Sequence, residues 1–356
     1  VSRTAMARPC VHRRQLLWRG TGLLMAWPGI AAAADPAGPE AAAAACVQST
    51  ARLVRGERVD PGPAEGCGGS ATPGVFQGAS LAKPLVATLV LRRVLKGQLD
   101  LDRPLDALLP EGYAHRQNLF ALREPPVLDP VPRDMLARIT VRRLLSHTAG
   151  LPNWAEGRAL RFAVEPGTRW VYSGEGYVLL QHLLLGLTGQ TLQALAAQEL
   201  FGPLGMADSA FRLTEQIRPA LVAGRTASGQ VRQLRFPHEI AAASLYTTAA
   251  DYARFLAATL ADRELLAQVT TSPVAVPEVP GVSWGLGWGL EQTPGRRALW
   301  QWGANPGFRS LAMAELESGN AVVALVAQDS GMDQAKALLR QALPGPHPAL
   351  ALKLVS

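Results

Sequence analysis

From Leu81 to Leu95 the chain is apolar on nearly every face, with Leu85, Val86, Leu89, Val90, Val94 and Leu95 pointing in all directions of a helix. A helix that is apolar all round has to be buried. Any fold of this chain must therefore be built around this segment. Lys96 and Gly97 close it suitably, a cation at the negative end of the dipole followed by a glycine cap. Yet its first turn carries Lys83, where a permanently charged side chain has no place. A lysine can shed its proton when desolvated and an arginine cannot. Composition sharpens the point, because of 35 basic residues only four are lysine: Lys83, Lys96, Lys336 and Lys353. Ser80 stands three residues before Lys83, on the same helical face, in the one Ser-x-x-Lys of the chain. That pattern suits a serine nucleophile activated by a neighbouring amine. Ser80 also sits at a helix N-terminus, where backbone N–H groups favour developing negative charge. Pro84 is tolerated because it is still in the first turn. The plain alternative, a helix cap followed by a solvated lysine, is out of keeping with the apolar run around it.

The rest of the composition excludes several classes. Hydrophobic content of 48% with 18% charged residues describes a globular chain with a sizeable core. The formal charge is +7, but residues 1 to 34 hold Arg3, Arg8, Arg13, Arg14 and Arg19 and no acid. The remaining 30 basic and 28 acidic residues leave +2, so the basic balance does not point to nucleic acid. Residues 1–34 read as a signal peptide of twin-arginine type, with Arg13-Arg14-Gln15-Leu16-Leu17, an apolar run from Gly20 to Ala34 and a small-residue cleavage site at Ala32-Ala33-Ala34. Arg19 interrupts the apolar stretch, which leaves it short of a membrane span. The expectation is a protein carried by the twin-arginine export machinery to the periplasm or secreted, with its signal removed. In that oxidising setting Cys46 and Cys67 are expected to form a structural disulfide, two free thiols being the alternative. No Cys/His cluster has metal-ligand spacing, so neither metal nor cofactor is implied.

Along the mature chain, residues 35–79 are rich in Ala, Gly and Pro, with a short hairpin expected at Leu53 to Val59. Residues 98 to 135 read as proline-punctuated loop. Helices are expected at 140–146, 176–188, 191–201 and 249–260, the last opened by Thr248 with Asp251 three residues on. Arg297 to Trp302, Phe308 to Glu317 and Ala321 to Gln328 read as strands, with Ser318-Gly319-Asn320 as a hairpin turn. Asp333 to Leu343 reads as a closing amphipathic helix. This order predicts an α+β fold of two lobes: a discontinuous one from about 35–97 and 282–356, and a helical one from about 98–281.

A Ser–Lys pair needs a proton route and an oxyanion binder. Tyr172-Ser173-Gly174 offers a phenol, which acts as a base only if nearby cations lower its pKa. The strand through Gln301-Trp302-Gly303 offers backbone N–H groups which, with that of Ser80, would make an oxyanion hole.

At this point the sequence resembles the penicillin-recognising serine hydrolases of the class C β-lactamase type, which include D-alanyl-D-alanine carboxypeptidases and esterases. Ser80-Leu81-Ala82-Lys83 looks like the family's Ser-x-x-Lys. Leu144-Leu145-Ser146-His147-Thr148-Ala149-Gly150-Leu151-Pro152 is similar to its LLSHTSGLP segment. Glu165-Pro166-Gly167-Thr168 with Tyr172-Ser173-Gly174, Pro203-Leu204-Gly205-Met206, Trp284-Gly285-Leu286-Gly287-Trp288 and Gly303-Ala304-Asn305-Pro306-Gly307-Phe308 complete six ordered matches between about Val75 and Ser330. The resemblance implies a β-lactamase/transpeptidase-like fold, an antiparallel sheet flanked by helices plus an all-helical lobe. It also implies acyl-enzyme chemistry with Ser80, Lys83 and Tyr172 as catalytic residues. Gln301, Gly303, Ala304 and Asn305 would then line the substrate site. The region ahead of the nucleophile is shorter than the strands this family usually places there.

Two departures bear on the substrate. The second motif usually ends in Asn, and Gly174 has no side chain. The third usually carries Lys or His, and Gln301 is neutral. Arg309 is a candidate to supply the missing charge, against its plain reading as a surface arginine on a strand. His147 belongs to a structural turn in this reading, His182 to a packed helix, and Trp284, Trp288 and Trp302 either line the groove or fill the core. The expected function is an exported serine hydrolase acting on a small ester or amide or a wall fragment, with β-lactam or cell-wall peptide cleavage second. The alternative of another class is a binding protein that keeps the fold without turnover.

Overall fold

The computed structural model describes residues 48–62, 74–232 and 234–355. The signal segment, Cys46 and Cys67 lie outside the described residues. The described chain begins with the expected hairpin, β1 (Gln48–Val54) and β2 (Arg58–Pro61), turning through Arg55 and Gly56 at positive φ. Strand β3 (Phe76–Ala79) leads into helix α1 (Ala82–Leu95), the all-round apolar segment. Short elements follow: α2 (Leu105–Leu108), β4 (Ala114–Arg116), β5 (Leu128–Pro130), α3 (Arg133–Leu136) and α4 (Val141–Leu145). Then come α5 (Glu175–Thr188), α6 (Leu192–Ala196), β6 (Leu245–Thr247), α7 (Ala249–Ala261) and α8 (Arg263–Thr270). The chain closes with β7 (Val274–Ala275), β8 (Val282–Trp284), β9 (Gly289–Thr293), β10 (Arg296–Asn305), β11 (Phe308–Glu315), β12 (Ala321–Val326) and α9 (Met332–Ala342).

One antiparallel sheet runs β2-β1-β12-β11-β10-β9-β8-β7. Strand β12, between β1 and β11, is buried at every residue because both faces are covered. Strand alternation divides the side chains. Leu299, Ala312, Ala314, Val323 and Leu325 join α1 and α7 in one core, while Trp300, Leu311, Met313, Val322 and Val326 join α9 in a second. The pairing of β9 with β10 stops at Trp300, so Gln301 to Asn305 pair with β11 alone and present a free edge.

Segment 98–281 is not purely helical. It holds β4 paired with β5, β6 paired with β3, and β7 at the rim of the main sheet. Helix α7 packs on β1 and β12. Its apolar face, Tyr252, Phe255 and Leu256, belongs to the sheet core, so chain position alone misplaced it in the helical lobe. The Thr248 cap is as expected, its hydroxyl accepting from Asp251 N at 3.1 Å. The Asp251 carboxylate instead accepts from Asp208 N and Ser209 Oγ, each at 2.9 Å, and ties α7 to the preceding loop. His182 is half-buried rather than a core residue, its ring 5.0 Å from that of Tyr113. Among the described residues no helix is long and apolar enough to cross a membrane.

Candidate active site

Ser80 lies at the junction of β3 and α1, and the junction is strained. Ala79 has φ 49°, a left-handed conformation that non-glycine residues seldom take. Surrounding bonds hold it. Leu81 N donates to Gly78 O at 3.0 Å, Ser310 Oγ on β11 donates to the same carbonyl at 2.8 Å, and Tyr252 Oη on α7 donates to Leu81 O at 3.0 Å. Ser80 makes no side-chain cap on the helix.

Lys83 is fully buried, and its Nζ is 2.8 Å from Ser80 Oγ and 3.2 Å from the carbonyl of Ala242. The amine lies 4.7 Å above the ring of Tyr172 and 5.6 Å from that of Tyr177. Burial pushes its pKa well below the ordinary lysine value, because a cation there loses its hydration without gaining a carboxylate partner. Tyr172 is shifted the other way. Burial raises its pKa, and hydrogen bonds with Ser80 and Gln301 offset only part of that rise. The phenol therefore sits above its ordinary pKa and holds its proton at neutral pH.

The third strand segment meets the nucleophile through its backbone. At Gly303 a Cβ would run into Gly78 O and Ser310 Oγ and would sit 2.9 Å from Ser80 N. The absent side chain is what lets the backbone of Gly303 and Ala304 approach that of Ser80. Gly287 answers a similar need on the other flank. Its φ is 91°, and a Cβ would meet the Cβ of Ala87 in α1.

Several expected substrate contacts are engaged elsewhere. Gln301 Nε2 donates to Tyr172 Oη at 3.0 Å and to Trp302 O at 2.8 Å, so both N–H bonds are used within the protein. Its Oε1 is buried without a partner among the described residues. Asn305 Nδ2 donates to Gln77 Oε1 at 2.8 Å and to Ala243 O at 3.0 Å, bracing three segments rather than facing a ligand. Arg309 is committed to Asn305 O at 3.2 Å, Phe308 O at 2.9 Å and Asp329 at 3.6 Å. Its neighbour Ser310 points to Gly78, so the strand pleat turns Arg309 to the opposite face.

The three tryptophans are core residues, buried to at least 95%. Trp302 also meets the ring of Tyr172 at a tilt, with centroids 4.6 Å apart and planes at 33°. His147 does sit in a turn, at φ 56°. Its Nδ1 accepts from Ser173 N at 3.1 Å and its ring is 4.5 Å from that of Tyr172. Burial holds it neutral, so it positions the tyrosine segment and carries no charge. The Ala242 carbonyl and Tyr177 reach Lys83 without belonging to a reactive motif, the first from 159 residues away and the second from α5.

A buried amine on a serine hydroxyl, a phenol beside it and a glycine-permitted backbone edge thus meet at one place on an α+β scaffold. The beta-lactamase family profile matches residues 30–344, and the chain belongs to that family of serine hydrolases. The chain is 31% identical over 176 residues to Esterase EstB of Burkholderia gladioli, 41% of each protein. It is 32% identical over 163 residues to Penicillin-binding protein 4 of Amycolatopsis lactamdurans, 41% of this chain and 39% of that one. Such matches span about two fifths of these relatives' own length. The structure of D-amino acid amidase from Ochrobactrum anthropi SV3 aligns with TM-score 0.64 at 22% identity, covering 85% of this chain and 95% of that one. A class C beta-lactamase aligns with TM-score 0.66 at 18% identity, covering 85% and 92%. The fold is of the β-lactamase/transpeptidase type.

Proposed function

We propose that this protein is an exported serine hydrolase that cleaves the ester or amide bond of a small, uncharged substrate through an acyl-enzyme on Ser80. The observation that carries the reading is the 2.8 Å contact between a fully buried lysine amine and the serine hydroxyl. Ser80 Oγ attacks the carbonyl carbon while Lys83 Nζ takes the hydroxyl proton. The backbone N–H of Ser80 and one from the Gly303–Ala304 run hold the oxyanion. As the tetrahedral intermediate collapses, the proton moves from Lys83 through Tyr172 Oη to the departing oxygen or nitrogen. Water then attacks the acyl carbon, gives a proton back to the amine, and the acid leaves as Ser80 recovers its hydroxyl. The neutral amide at position 301, with both N–H bonds used internally, favours neutral substrates over those bearing a carboxylate.

A fluorophosphonate probe and p-nitrophenyl butyrate test this directly. The protein is expected to be labelled on Ser80 and to release nitrophenol faster than it turns over nitrocefin. An intact, folded protein that neither takes the label nor hydrolyses the ester would instead support a ligand-binding role. Export is part of the proposal and rests on residues 1–34. Double replacement of Arg13 and Arg14 by lysine should leave the protein in the cytoplasmic fraction, and unchanged fractionation would remove that element alone.

A further inference from the structure

The space beside Gly174 is occupied. A Cβ built there would lie 2.5 to 2.7 Å from three atoms of the six-membered ring of Trp154. The indole has thus taken the volume that a side chain at position 174 would need. It is held there by its neighbours. Gly174 N donates to Asn153 Oδ1 and to Asn153 O, both at 3.0 Å, and Glu175 N donates to Asn153 O at 3.1 Å. Ala155 N donates to Glu175 Oε1 at 2.8 Å, while Glu175 Oε2 pairs with buried His115 at 3.1 Å. Residues on both sides of Trp154 are therefore clamped to the start of α5, which places the backbone that carries the ring. Gly174 follows two residues after Tyr172, whose hydroxyl accepts from Gln301 Nε2 at 3.0 Å and whose ring lies 4.7 Å from Lys83 Nζ. The indole meets Phe120 edge-on, with centroids 4.8 Å apart and planes at 86°. Both rings are only half-buried, as are Leu119 and Val178 beside them.

We infer that Trp154 is a specificity-determining residue of this site and that it selects flat, apolar acyl groups, such as phenylacetyl, over short or polar ones. The inference rests on the hydrolase reading above and narrows its substrate class. A half-buried aromatic packed on Gly174, two residues from Tyr172, gains contact area from an aryl group and offers an amide little in exchange for its hydration.

The test uses the full chain with p-nitrophenyl acetate and p-nitrophenyl phenylacetate, which share a leaving group. The wild type is expected to show a KM for phenylacetate about 10-fold below that for acetate. Trp154→Ala should raise the phenylacetate KM about 10-fold relative to the acetate KM, so that the ratio of the two collapses. Trp154→Phe should keep the preference. Trp154→Leu, which keeps apolar bulk but no ring, should lose it while still folding. Equal losses on both esters in Trp154→Leu, or an unchanged ratio, would overturn the inference and leave the hydrolase reading standing. A wild type inert to acetate and to the fluorophosphonate probe would remove both.

Discussion

Lys83→Arg is expected to abolish turnover as completely as Ser80→Ala, a fall of about 10³-fold or more in kcat/KM when the general base is lost. The reason is electrostatic. The amine is fully buried and faces hydroxyl, carbonyl and ring atoms rather than a carboxylate. Arginine cannot shed its charge there and cannot accept the serine proton. It should also destabilise the fold by several kcal/mol, since it buries an unpaired cation. Lys83→Met separates the two effects: it should be equally inactive yet keep its Tm close to that of the wild type. The same burial sets the pH dependence. The lysine pKa is lowered in the folded state, so the amine is neutral above that value and protonated below it. Activity therefore rises as pH increases through the folded pKa, well below the ordinary lysine range. Stability changes in the same sense. Between the folded pKa and 10.5 the unfolded chain binds the extra proton, so stability increases with pH across that window and is lowest beneath it. A kcat/KM profile whose rising limb sits near 10.5, or an active Lys83→Arg enzyme, would end the assignment of Lys83 as base.

Gly303→Ala is expected to lower kcat by about 10²-fold or more, comparable to losing one oxyanion donor. The added methyl would push against Gly78 O, Ser310 Oγ and Ser80 N together. All three belong to the junction that holds Ala79 in its strained conformation. The β10 edge and the nucleophile backbone must then separate, and the distance between the two oxyanion donors grows. Burst kinetics with p-nitrophenyl butyrate measure the acylation rate directly, and a Gly303→Ala enzyme acylating within a few-fold of wild type would show that this approach is not needed.

Much of this was readable from the chain before any coordinates. The apolar run of α1, the Thr248 cap, the closing strands and α9 are written in local periodicity and capping, which act over a few residues. The Ser80–Lys83 pair was legible because a helix fixes the relation of residues three apart. Gln301, Asn305 and Arg309 were nominated by their place in a motif, and motif position does not say which way a side chain bonds. The strand pleat turned Arg309 away. A neighbouring strand and loop claimed Asn305, and a phenol and a backbone carbonyl claimed both N–H bonds of Gln301.

What the sequence determined alone was a buried helix opening on a serine and an amine, and with it the β-lactamase-family scaffold, since both follow from short-range pattern and ordered motifs. Tertiary structure decided the directions in which the pKa values of Lys83 and Tyr172 move, because desolvation depends on every segment that closes over them. It also decided that an indole from the Asn153–Ala155 turn fills the space next to Gly174, since that contact joins residues 20 positions apart whose local sequence carries no sign of each other.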